Sequence, residues 1–285
     1  MDSEEKLLTI GQVSEITGVN SVTLRAWQRR YGLIIPKRTP KGHRLYTGQD
    51  VQRIQEILAW LDKGVPVGQV KSLLGTATTD VSDVQTLPEW DTLKKLVVNV
   101  DVVALEAMLF ELTKNYPIQV LNTKLLEPLT RWFDKQASDA GILCAHIWRS
   151  ALNNVLVHCF HRNKKAKGKK RCWIVNIACE PNYRFYLKAL LLQSEGYAVT
   201  SLSGIGTGIT ILSQCLKEKG IHCLVIYSDQ AFTPVQKREL LAMMESTEID
   251  IEVSGECTKI HPEFTMTTKD TAQHQPPQDN QEVSG

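Results

Sequence analysis

The chain lacks any apolar run approaching the roughly 18 residues that a membrane-spanning helix requires, and its N-terminus, MDSEEKLLTI, is too acidic for a secretory signal peptide. Cysteine is sparse and odd in number: seven, at positions 144, 159, 172, 179, 215, 223 and 257, with no CxxC pair. That pattern argues against a disulfide framework. It predicts a reducing, cytoplasmic setting in which the thiols serve as small core residues. No Ser/His/Asp grouping, carboxylate pair or metal-ligating cluster falls in a plausible loop. The expectation is therefore no catalytic residue, no metal, no cofactor and no enzyme. One further absence is local. Between Arg25 and Tyr46 there is no Asp or Glu, while seven Lys/Arg are present.

The formal charge of +2 hides this asymmetry. Residues 6–74 hold eleven Lys/Arg against four Asp/Glu, so the positive charge is concentrated at one end. Local charge of this kind, rather than the whole-chain balance, is what attracts a polyanion. The charges of VTLRAWQRRYGLIIPKRTPKGHRLY sit on a short helix and on a turn-rich loop with Pro36, Pro40 and Gly42. A helix that enters a groove, beside a loop that grips the backbone, is what a reader of duplex DNA needs.

Periodicity divides the chain into six parts. Residues 6–75 read as an all-α helix-turn-helix module with one loop insertion. Thr9 and Gln12 form a capping box, Gly18 ends the first helix, Asn20 or Ser21 starts a second that stops near Tyr31-Gly32, and Thr47 opens a longer one. A last short helix spans Val67 to Leu74. Residues 76–89 read as a linker. Residues 90–161 carry about four helical segments, expected as a four-helix bundle. Residues 162–171 are a basic connector, RNKKAKGKKR. Residues 172–256 alternate short strands with helices and predict a small Rossmann-like α/β parallel sheet. Residues 257–285 are expected as a disordered tail.

TIGQVSEITGVNSVTLRAWQRRYGL followed by PKRTPKGHRLY resembles the winged-helix DNA-binding domain of the MerR family of transcription regulators, over Leu8 to Leu74. The resemblance implies a sequence-specific DNA-binding regulator, an activator acting as a homodimer on double-stranded promoter DNA, with RNA polymerase as a partner. On the recognition helix Thr23 and Gln28 are expected to reach base edges, and Arg25 a phosphate or a guanine. Arg29 and Arg30, at its end, are expected on the DNA backbone. Val22, Leu24 and Trp27 read as core. In the wing Arg38, Lys41, His43 and Arg44 have the reach for phosphates and the minor groove, and Tyr46 either donates to a phosphate or anchors the wing.

The wording of RAWQRRYGL and TPKGHRLY is similar to one branch in particular, the MlrA-like group related to CarH and LitR. There the DNA-binding domain precedes a helical bundle and a cobalamin-binding-type sheet. In that branch cobalamin binding uses a DxHxxG signature. Here the matching segment is Glu180-Pro181-Asn182-Tyr183-Arg184-Phe185. Asn182 stands in place of the ligating His and Phe185 in place of the Gly, which predicts a degenerate domain without His-ligated cobalamin. The alternative is a ligand-gated repressor or regulator whose sheet domain takes a small molecule such as a tetrapyrrole, a nucleotide or a second messenger. The glycines of Ser203 to Gly208 read as a strand-to-helix turn.

Overall fold

The computed structural model describes residues 7–76, 87–163, 170–177, 180–205 and 208–264. The chain divides into two compact units, residues 1–167 with 186–197, and residues 168–185 with 198–285.

The first unit opens with strand β1 (Leu8–Thr9) and helix α1 (Ile10–Thr17). The Thr9 hydroxyl accepts from the Gln12 amide, and the Gln12 side chain accepts from the Thr9 amide, so two otherwise unpaired N–H groups are satisfied reciprocally. Gly18 closes the helix in the left-handed region at φ +70°. Helix α2 (Ser21–Ala26) follows and runs on through a π-helical turn, Trp27–Tyr31. Strands β2 (Lys37–Arg38) and β3 (Arg44–Tyr46) then form a hairpin. With β1 they make an antiparallel sheet in the order β1-β3-β2, with Leu8 opposite Tyr46 and Lys37 opposite Leu45. The segment is thus not all-α. Strands of two and three residues are too short to display an alternating pattern.

Helix α3 (Gly48–Asp62) starts from a second capping box, Thr47 with Asp50. Helix α4 (Val67–Val70) is shorter than its expected span, and the chain continues as turns to Thr76. Val13, Leu24, Trp27, Ile34, Tyr46, Ile54, Ile57 and Trp60 are buried in this part of the unit.

Residues 77–86 of the expected linker lie outside the described residues. Leu87 is buried, with its N–H on the Lys124 carbonyl (3.4 Å), so residues 87–89 belong to the helices that follow. These are α5 (Trp90–Val98), α6 (Val102–Asn115), α7 (Ile118–Leu121), a π turn over Asn122–Leu126 leading into α8 (Glu127–Asp134), and α9 (Asp139–Asn163). Helix α9 packs against α5, α6 and α8. Leu109, Phe133, Trp148, Leu152 and Phe160 are among the buried side chains, and the Trp148 indole donates to the Thr130 hydroxyl at 2.8 Å.

The second unit is built on β4 (Lys170–Asn176), β5 (Tyr197–Ser203), β6 (Cys223–Tyr227) and β7 (Asp250–Ser254), in the order β5-β4-β6-β7. Strand β6 runs parallel to β4 and to β7. All five residues of β6 are buried, as expected for a central strand covered on both faces. The connecting helices are α10 (Tyr183–Ser194), whose residues from 186 group with the first unit, α11 (Ile209–Glu218) and α12 (Pro234–Ser246).

Two boundaries differ from the expected ones. Residues 164–169 of the basic run lie outside the described residues, but Lys170 and Arg171 already belong to β4, and the Arg171 guanidinium donates to the Lys219 carbonyl. At the other end the chain does not turn irregular at 257. Helix α13 (Cys257–Ile260) and a 3-10 turn, Pro262–Phe264, fold back so that Cys257 and Phe264 join the core with Leu224, Ile226, Phe232 and Leu240. The rest of the expected tail, 265–285, lies outside the described residues, as do Cys179 and the Gly206-Thr207 part of the glycine turn.

Candidate nucleic-acid interface

Helices α1 and α2 are separated only by Gly18, Val19 and Asn20. Gly18 supplies the left-handed residue and Val19 is fully buried. The Asn20 carboxamide oxygen then accepts from the amides of both Val22 and Thr23, at 2.9 Å each, which fixes where α2 begins. At the far end Gly32, at φ +59°, lets its own amide and that of Leu33 turn back onto the Trp27 carbonyl.

The hairpin is closed at its tip by the Thr39 amide on the His43 carbonyl (2.9 Å) and the Gly42 amide on the Thr39 carbonyl (2.8 Å), with Gly42 at φ +81°. A side-chain bond ties hairpin to helix. The Arg44 Nε donates to the Gln28 Oε1 at 2.6 Å. That bond uses Nε and leaves the two terminal nitrogens of Arg44 for an external acceptor. Arg29, Arg38, Lys41 and His43 are exposed, and Arg25, Gln28 and Arg44 are partly so. Among the described residues, Arg25, Arg29, Arg38, Lys41 and Arg44 form no ion pair with an acid. The surface they make is positive and uncompensated, able to accept phosphates and base edges.

Three of the expected DNA-facing residues are placed differently. Thr23 is fully buried and its hydroxyl has no hydrogen-bond partner, so from this position it cannot reach a base. Tyr46 is also fully buried with an unpartnered hydroxyl; burial raises its pKa, against the lowering effect of Arg44 and Arg25. It anchors the hairpin rather than presenting a donor. Val22, expected as core, is only partly buried, whereas Leu24 and Trp27 are fully buried.

Arg30 is the third. Its guanidinium donates to Glu111 and to the Asn115 side chain (3.2 Å) on α6, and the hydrogen bond and charge of Glu111 hold it above the ordinary arginine range. Glu111 also receives Lys114, and the two cations hold its carboxyl below the usual range. Beside this pair the Trp27 indole donates to the Asn115 carbonyl at 2.8 Å. The Tyr116 hydroxyl accepts from the Val67 amide and donates to Glu89. Sequence reasoning missed Glu111, Asn115 and Tyr116. No local signal could have found them, since they lie more than 80 residues from their α2 partners or 49 from Val67.

The segment matched to the cobalamin signature does not fit a His-ligated corrin. The Asn182 Oδ1 accepts from the Arg184 and Phe185 amides, capping α10, and its Nδ2 donates to Asp229 at 2.6 Å. The carboxamide is thus committed at both ends. Phe185 is fully buried, with its ring edge-on to Tyr227 at 5.5 Å, in the position where the signature has a glycine. Asp229 further accepts from the Tyr227 hydroxyl and the Glu256 amide. On α9, His146 is exposed. Among the described residues no group of three or more His, Cys, Asp or Glu could hold a metal ion.

Residues 8–76 match the MerR HTH family regulatory proteins. The chain is 35% identical over 197 residues to the HTH-type transcriptional regulator MlrA of Escherichia coli strain K12, a match covering 69% of this chain and 80% of that protein. Against the HTH-type transcriptional regulator MlrA of Salmonella typhimurium strain LT2 it is 32% identical over 201 residues, with the same coverage. Its similarity to the HTH-type transcriptional repressor CarH of Myxococcus xanthus, 39% over 70 residues, takes in 25% of this chain and 23% of that one.

Proposed function

Because this chain belongs to the MerR family of helix-turn-helix transcriptional regulators, we propose that it works at promoters as a homodimeric activator that recruits or repositions RNA polymerase. The DNA-facing set is Arg25, Gln28 and Arg29 on the recognition helix and Arg38, Lys41, His43 and Arg44 on the hairpin. The observation that carries this set is the Arg44–Gln28 bond, which makes helix and hairpin one positive surface. Gln28 is left with its amide N–H groups for a base edge, while the guanidinium and ammonium groups take phosphates on either side. Support for a dimer and for activation comes from the family likeness, whose members bind inverted repeats in promoters and remodel the spacer between them.

The test is selection of duplexes from a random pool by the full chain, followed by affinity against salt. Inverted repeats are expected in the enriched pool. Arg29→Ala, Arg38→Ala, Lys41→Ala or Arg44→Ala should each weaken binding and flatten the slope of log affinity against log salt by about 0.9 for every phosphate no longer neutralised. Transcription from a promoter carrying the selected repeat should rise on adding the protein. Unchanged slopes in all four variants would remove the DNA-facing assignment, and a fall in transcription would reverse the sign of regulation.

A further inference from the structure

The C-terminal end of α6 holds the end of the recognition helix. Trp27, fully buried, places its indole N–H on the Asn115 carbonyl, and three residues later Arg30 reaches the Glu111 carboxylate and the Asn115 side chain. One residue further along the chain, the Tyr116 hydroxyl receives the Val67 amide of α4. The held stretch, Trp27–Tyr31, is also where α2 widens into a π turn. Such turns are frequent at functional sites. Helix α6 is in turn packed on α5 and α9. A single segment, Glu111 to Tyr116, therefore grips two elements of the DNA-binding module.

We infer that Glu111 and Asn115 are positioning residues for base reading: through Arg30 and Trp27 they set the orientation of the recognition helix, and Arg30 serves as this link instead of as a phosphate contact. The inference rests on the DNA-reading role given above to α2. The Arg30–Glu111 pair is nearly half exposed on both sides (45% and 47%), so by itself it is a weak tie. The buried indole bond beside it gives the tie a fixed geometry. Orientation matters more for base edges than for phosphates, because a bidentate base contact tolerates little rotation whereas a charge near a phosphate tolerates much. Loosening the grip should cost sequence discrimination before it costs general affinity.

The experiment compares the full chain with Arg30→Gln, Glu111→Gln and the double variant. Each is measured on a duplex selected by the full chain from a random pool and on a mixed-sequence duplex, across a salt series. Both single variants should weaken binding to the selected duplex by roughly two- to fivefold, the range of one exposed ion pair. The double variant should be no weaker than either. Binding to the mixed-sequence duplex and the salt slope should stay as in the parent. Glu111→Gln is the sharper arm: removing a negative charge would on electrostatic grounds tighten DNA binding, so a loss confined to the selected duplex has to come from helix placement. If Arg30→Gln flattens the slope by about 0.9 and weakens both duplexes while Glu111→Gln tightens both, Arg30 is a phosphate contact and the inference is overturned. It is equally overturned if neither substitution changes discrimination. Arg44→Ala, run alongside, reports on the DNA-facing surface itself: an unchanged slope there indicts that assignment and not the grip of α6.

Discussion

Thr23 shows how a residue-level expectation can have the right chemistry in the wrong place. Its hydroxyl suits a base edge, and it lies on the helix proposed to read DNA, yet the side chain is fully buried with its oxygen unpaired. An unpaired buried hydroxyl costs about 1–3 kcal/mol of desolvation without return. Thr23→Val, which keeps the shape and removes the oxygen, should therefore leave the melting temperature unchanged or raise it by a few degrees, and should leave affinity for a selected duplex within twofold. A tenfold loss of affinity, with the fold intact by circular dichroism, would show that the hydroxyl turns outward to reach DNA. The cations of this site were legible in the sequence because Arg and Lys side chains stay at the surface by default, so their number and sign carry over directly. Which side of the helix faces inward was legible only in part: Leu24 and Trp27 are buried as expected, but Thr23 is buried with them and Val22 is only partly so. That depends on what Trp27 and Leu24 pack against, and the bond that fixes Trp27 comes from Asn115. Gln28 kept its expected outward position but gained a partner, Arg44, sixteen residues away.

Elements were most legible where their ends carry their own chemistry. The capping boxes at Thr9 and Thr47 and the left-handed Gly18 mark α1 and α3 from within a few residues, and the apolar run of β6 gives its bounds directly. Elements made by distant partners were not. Strands β2 and β3 pair locally but are too short to show an alternating pattern, whereas the return of α13 into the core depends on contacts that no local window contains. The joint between α4, α5 and α6 is of this kind, and it carries a titratable group. Glu89, at the start of α5, is half-buried beside Tyr116. Burial raises its pKa above the ordinary 4.5, and the backbone and Tyr116 hydrogen bonds only partly oppose that. A folded state that holds the proton more tightly than the unfolded one is favoured below pH 4.5, and that advantage is lost as pH rises through the raised value. Glu89→Gln should accordingly raise the melting temperature at pH 7, with the difference from the parent shrinking as pH falls below 4.5. Thermal melts at pH 4 and pH 7 decide it; a variant less stable than the parent at pH 7 would mean that the carboxylate is stabilised at the joint.

At the scale of the whole molecule, the question is what the sheet unit contributes to a DNA-binding regulator. Its strand order, with β4 and β6 central and parallel, creates a switch point at the carboxyl ends of those strands, where α/β sheets ordinarily open a crevice for a ligand. In this chain that place is spanned by its own side chains. Asn182, from the loop after β4, meets Asp229, from the loop after β6; Asp229 also receives the Tyr227 hydroxyl and the Glu256 amide; and Phe185 lies against the Tyr227 ring. A corrin with a histidine lower ligand needs an imidazole at 182 and space at 185, and finds an engaged carboxamide and a buried phenyl ring. Full-length protein incubated with adenosylcobalamin and then gel filtered should therefore elute without corrin absorbance. Phe185→Gly alone should not change this, because making room supplies no ligand. A stoichiometric red complex from the parent chain would show that the Asn182–Asp229 bridge opens and that cobalt accepts a ligand other than a histidine at this position.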